Sequence, residues 1–160
     1  MVAEFLGRLP TEADIVALVT DMRAADVAEL QAAHGRQADL VAILHEAIAI
    51  SDVCFAVDFH GRLGCIFGYA SYPHDARTGV PWMLGTNSLF RSPKALHKAG
   101  KHYIELVRGR YDELFNFVDA RNTVSIRWLR RLGYTIDPCP QPFGLECRPF
   151  HKFSMRLSHV

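Results

Sequence analysis

Two periods divide the chain. Over its first third, apolar residues recur at helical spacing: Val27 and Leu30 in one stretch, then Leu40, Val41, Leu44, Ala47 and Ile48 in another. These stripes predict helices over 24–33 and 37–50, with Gly35 ending the first. Ahead of them Thr11 follows Pro10 and is placed to cap a short helix through Ile15 and Leu18; residues 18–22 either continue it or form a first strand. From Val53 the period drops to two. Val53, Phe55, Val57 and Phe59 alternate with Cys54, Ala56, Asp58 and His60, as in a strand. His60-Gly61-Arg62 is a tight turn and 63–69 a return strand, an antiparallel hairpin. Residues 72–79 read as a loop and 80–84 as a third strand, with Gly85 marking a bulge or a close backbone approach.

The helical period then returns. Ser92-Pro93 pairs a capping hydroxyl with a proline at the first helical position. The predicted helix runs to about 108, with Leu96, Ala99, Tyr103 and Leu106 on one face and Gly109 as its stop. Phe115 and Phe117 alternate with Asn116 and Val118 in a strand over 114–119. Asn122 sits at an N-cap, Ile126, Leu129 and Leu132 keep helical spacing, and Gly133 suits a left-handed stop. Pro138, Pro140 and Pro142 mark a loop before a last strand over 150–157. Early helices, antiparallel strands, then alternating helix and strand predict an α/β sheet covered by helices, in one domain over 1–160.

Composition narrows the function little. Eighteen Lys and Arg against 17 Asp and Glu leave a net charge of +1, so no electrostatic case exists for nucleic acid or an anionic membrane. No apolar run approaches the roughly 20 residues that span a bilayer. The first residues lack the pattern of a secretion signal. Cys54, Cys65, Cys139 and Cys147 form no C-x-x-C pair, and the 8 histidines follow no ligand spacing, so no metal is expected and the thiols are expected reduced.

The stretch FNFVDARNTVSIRWLRRLGY, ending at Tyr134, carries a resemblance. Its Asn122, Ser125, Leu132, Gly133 and Tyr134 match in register the closing strand–helix–strand of the GNAT acyltransferase superfamily. More narrowly, the string resembles the GNAT-like proteins of tailed bacteriophages, among them internal virion protein A of T7-like phages. The resemblance implies a GNAT-like fold: a mixed central sheet, a splayed parallel strand pair at 80–84 and 114–119, and helices on both faces. It implies acetyl-CoA in the splay, held near Leu84, Gly85 and Thr86, at Asn122 and beside Trp128. The diphosphate would lie at the following helix start, where Arg91, Ser92 and Lys94 offer charge and a hydroxyl; a capped helix with solvated basic residues is the alternative.

The chain departs from the superfamily in three ways. Between Thr86 and Gly100 the glycine pair of the phosphate loop is missing, and Pro93 has no amide to donate. The position of the usual thiolate-protonating tyrosine is Leu129. The strand over 80–84 carries no acidic residue, leaving Asp119 at a strand end and His74 in a loop as candidate bases, with Asp58 behind them. These departures and the narrower resemblance give the leading expectation: a phage-encoded component of virion assembly or genome delivery with a degenerate acyl-CoA pocket. Its partners would be other virion or assembly proteins and its place the host cytoplasm or the particle. The alternative is a working N-acyltransferase that moves an acetyl group from acetyl-CoA to an amine.

Overall fold

The computed structural model describes residues 7–157. Helix α1 (Glu12–Thr20) starts at Thr11, whose hydroxyl accepts from the Asp14 amide while the Asp14 carboxylate accepts from the Thr11 amide, a reciprocal capping box. Residues 18–20 thus continue this helix, and Met22 contributes only an isolated bridge to Thr86. Helices α2 (Ala24–His34) and α3 (Leu40–Ile50) follow, α3 capped by the Asp39 carboxylate on the Ala42 amide. The first hairpin joins β1 (Val53–Phe59) to β2 (Arg62–Tyr72) through His60 and Gly61, both at positive φ (53° and 74°), as a tight primed turn requires.

Strand β3 (Asp75–Gly85) is longer than its apolar pattern suggests. Of residues 75–79, expected in a loop, Asp75 and Gly79 pair with β2 across a bulge and Thr78 and Gly79 with β4, while the Asp75 carboxylate accepts from the Arg77 amide and the Thr78 hydroxyl. A short 3-10 turn (Leu89–Arg91) leads into α4 (Pro93–Val107), followed by β4 (Glu113–Asp119), α5 (Thr123–Leu132) and β5 (Thr135–Ile136). Within the proline-marked loop lies a short strand, β6 (Gln141–Phe143), before β7 (Arg148–Arg156). Gly133 takes φ 107° and closes α5.

The seven strands form one sheet in the order β1-β2-β3-β4-β7, with β5 and β6 both on the far side of β7. All neighbours are antiparallel except β3 and β4. Helices α4 and α5 bury Leu96, Ala99, Tyr103, Ile126 and Leu129 against one face. Helices α1 and α3 bury Ile15, Leu18 and Leu44 against Ala56, Ile66 and Leu84 on the other. Burial of such side chains, roughly 1.5–3 kcal/mol each when complete, fixes the layers. Between these layers runs the seam of β3 and β4.

Candidate functional site

The parallel ladder of β3 and β4 holds only at Thr78–Glu113 and Gly79–Leu114. The next β3 residue facing β4 is Pro81, and it has no N–H to offer. The alternation is fixed by two bonds: the Asp112 amide reaches the Arg77 carbonyl on the β4 side, and the Thr86 amide reaches Gly64 on the β2 side. Residues 79, 81, 83 and 85 therefore turn their peptide groups toward β4. The Asn116 side chain spans the widening gap and donates to the Pro81 carbonyl at 2.8 Å. Beyond it the strands part, and Met83 faces the opening with no β4 residue paired opposite.

The opening is a cleft of about 350 Å³ that passes through the sheet. On the α4–α5 side it is lined by Leu96, Gly100, Ser125 and Trp128; on the other side by Leu30, Ile43, Trp82 and Phe143. The Trp128 indole N–H is buried and lacks a hydrogen-bond partner, a donor directed into a site with room for an acceptor.

Helix α2 crosses the open end. Asp26, Glu29, Leu30 and Ala33 follow the 3-4-7 spacing of one helix face, and all four line the cleft. The Asp26 carboxylate accepts from the Gly85 amide at 2.8 Å and pairs with Arg23 at 3.0 Å. The Arg23 amide donates to the Gly85 carbonyl at 2.9 Å. Both peptide groups that Gly85 turns toward the gap are thus taken by α2. The Arg23 guanidinium lies over Phe90 and reaches Asn122 Oδ1 and Ser125 Oγ, each at 3.4 Å. Burial pushes the Asp26 carboxyl above its ordinary range, against the pull of Arg23 and of the Gly85 amide.

Glu29 occupies the middle of this face. Its two oxygens accept from the Asp119 amide at 2.8 Å and from Asn122 Nδ2 at 2.9 Å. Burial, helped by the neighbouring Asp26 and Asp119 charges, raises its carboxyl to about 7 despite those two bonds. A carboxyl poised near neutrality in a cleft has the character of a general base. Asn122 links the parts: its Oδ1 caps α5 on the Ser125 amide and its Nδ2 holds Glu29.

The residues expected from sequence divide sharply. Leu84, Asn122 and Trp128 line the cleft. Gly85 stands at its edge as a close approach: a Cβ there would meet the Leu89 side chain at 2.4 Å and Arg23 at 3.2 Å. The Thr86 hydroxyl turns away, donating to Leu63 and Gly64 carbonyls on β2. Ser92 makes no side-chain cap; its hydroxyl bonds His60 instead, and Arg91 and Lys94 are exposed. Asp119 is buried but directed at Arg121, whose guanidinium and amide it receives. Burial works to raise this carboxyl, yet the Arg121 bonds hold it below its ordinary range, so it is a fixed anion and a poor base. His74 sits at the β2–β3 turn, at the start of β3, whereas the cleft opens along that strand's far end. Asp58 pairs with Arg8 at 2.9 Å, so none of the three candidate bases lines the cleft. Leu129 is buried there and has no proton to give. No group of three or more metal-ligating side chains occurs among the described residues.

A parted parallel pair within this sheet order, with helices on both faces, is the fold of the GNAT acetyltransferases. A ribosomal-protein-alanine N-acetyltransferase from Brucella melitensis matches with a TM-score of 0.69 at 18% identity, over 95% of this chain and 99% of that one. A GNAT-family acetyltransferase from Bacillus anthracis matches at 0.70 and 14%, over 99% and 98%. A ribosomal L7/L12 alpha-N-protein acetyltransferase in complex with coenzyme A matches at 0.72 and 11%, over 97% and 95%. No family model matches the chain, and no curated protein does either. Nothing in these comparisons links the chain to a phage virion protein.

Proposed function

We propose that the protein is an acyl-CoA-dependent N-acyltransferase whose acceptor is an amine. The observation that carries this reading is the early end of the β3–β4 ladder, which leaves the Met83 peptide edge facing a cleft headed by Asn122. Acyl-CoA fits that cleft in part. Met83 would pair with the amides of the pantetheine arm, and the orphan Trp128 N–H would find an acceptor on it. The diphosphate end is less provided for: α4 begins on Pro93, and Arg91 and Lys94 bring positive charge to its start. When bound, acetyl-CoA supplies an activated thioester: nitrogen gains the acyl carbon, sulfur leaves with the bond's electron pair, and the second surplus proton passes to sulfur or solvent. The chain's own contribution is Glu29, which takes the first proton from the ammonium and so frees its lone pair. Asn122 and the Asp119 amide hold that carboxylate in place.

Structural neighbours of this fold that bear acetyltransferase names support the reading, as does the coenzyme A bound by one of them. A second reading, a fold kept without turnover, draws on one observation: the Gly85 peptide groups are already held by Asp26 and Arg23. One titration separates the two. Acetyl-CoA at about 100 times its dissociation constant should stabilise the protein by about 2.7 kcal/mol. A melting curve unmoved at millimolar acetyl-CoA would sink the enzyme reading, and release of free thiol in the presence of an amine would end the other.

A further inference from the structure

The cleft also constrains the acceptor, and this inference rests on the N-acyltransferase reading. Three carboxylates meet around α2 and the head of α5: Asp26, Glu29 and Asp119. Two guanidiniums serve them, Arg23 on Asp26 and Arg121 on Asp119. Glu29 receives neutral N–H donors and, among the described residues, no salt bridge. Among the described residues no lysine or arginine lines the cleft, and His34 is the one basic side chain in its lining.

One helical turn beyond Glu29 the cleft changes character. Leu30, Ile43, Ala47, Trp82, Phe117 and Phe143 wall it on the α3 side of the sheet. These walls are fixed. The Trp82 indole N–H donates to Ser51 Oγ at 2.8 Å, which anchors its ring. Phe143 stacks on Phe117 with centroids 4.8 Å apart and leans on Phe150 at 4.9 Å. The turn carrying Phe143 is bolted to α2: the Leu145 and Glu146 amides donate to the Ala33 and Ala32 carbonyls, each at 3.1 Å. Gly144, at φ 73°, lies so close to Ala33 that a Cβ would stand 2.5 Å from its Cα.

We propose that the acceptor is a primary arylalkylamine without an anionic group, its ammonium on Glu29 and its ring between Trp82 and the Phe117–Phe143 pair. Exposed ring faces and edges on such walls offer a guest ring the offset or edge-to-face contacts that aromatic pairs prefer. The unpaired Glu29 supplies the countercharge that a buried ammonium requires. An acceptor bearing a carboxylate or phosphate would meet Asp26, Glu29 and aromatic faces; Arg23, the nearest guanidinium described, is already paired with Asp26.

Isothermal titration of the full chain, without any coenzyme A, tests this with three probes: 2-phenylethylamine, phenylalanine and 2-phenylethanol. The amine should bind at least tenfold tighter than either comparator. E29Q should abolish its advantage over the alcohol, and F143A should weaken amine and alcohol alike by about fivefold, with circular dichroism confirming both variants folded. Equal binding of the three, tighter binding of phenylalanine, or no heat from the amine at millimolar concentration would overturn the proposal. Its fate is separable from that of the enzyme reading. Amine selectivity without acetyl-CoA binding would overturn only the latter, and rapid acetylation of an amino acid or a polyamine would overturn only the former.

Discussion

Glu29 concentrates the chemistry of the cleft in one side chain. Its carboxyl is raised from 4.5 to about 7, chiefly by burial and then by the Asp26 and Asp119 charges. The folded protein therefore holds a proton that the unfolded chain releases between about pH 4.5 and 7, and stability attributable to this group falls as pH rises through that window. A shift of this size corresponds to at most about 3 kcal/mol. Chemical denaturation from pH 4 to 8 should show the wild type losing ground against Glu29→Gln up to about pH 7, with a constant offset above it; parallel curves would refute the titration. Groups facing Glu29 are Asp26 on its own helix, Asp119 on β4 with Arg121 behind it, and Asn122 on α5, whose bonds the substitution partly disturbs. Turnover should fall by 10²- to 10⁴-fold in this variant if it is the base, the usual range for losing such a group. Asn122→Ala removes a helix cap and the Nδ2 bond to Glu29 together, and should cost about 1–3 kcal/mol in urea unfolding. Asn122 was legible in the sequence because a cap has a local signature. Glu29 was not: an acid inside a helix reads as solvated until the helix is seen to lay that face across a strand gap.

At the scale of elements, the parting of β3 and β4 is a consequence of register. Pro81 is plain in the sequence, but its missing N–H matters only because β2 claims residues 80, 82 and 84 and leaves 81 to β4. No local pattern reveals which side of a strand a peptide faces. The same blindness hid the strand character of 75–79 and the short β6, whose pairing comes from neighbours rather than from apolar alternation. Helix starts fared better at Thr11 and Asn122, each of which caps the helix that follows, whereas the start expected at 37 falls at Leu40, behind the Asp39 cap. Ser92 is the exception, its hydroxyl drawn off by His60 from the β1–β2 turn, a partner 32 positions away. Element packing also makes Gly85 irreplaceable. Gly85→Ala should destabilise by about 1–3 kcal/mol in equilibrium unfolding, because the new methyl must displace Leu89, a fully buried side chain. An alanine variant as stable as the wild type would mean that the 3-10 turn at 89–91 yields freely.

For the whole molecule, the order of elements and the GNAT-like fold followed from periodicity and from the residues around Asn122. The expected virion role did not gain support, since structural likeness speaks of architecture and the named neighbours are acetyltransferases. The two helical layers are joined across the seam by Arg23, which touches Gly85 on β3, Phe90 in the 3-10 turn and the head of α5 at once. A side chain so engaged works as a rivet between the layers, and we predict that a guest entering from the α4–α5 side draws it. Association with acyl-CoA should then be slow for a preformed site and accelerate in Arg23→Ala, seen by stopped-flow fluorescence of the nearby Trp128; an unchanged on-rate would show that the seam opens without the rivet leaving. Entry from that side would then be timed by a single guanidinium.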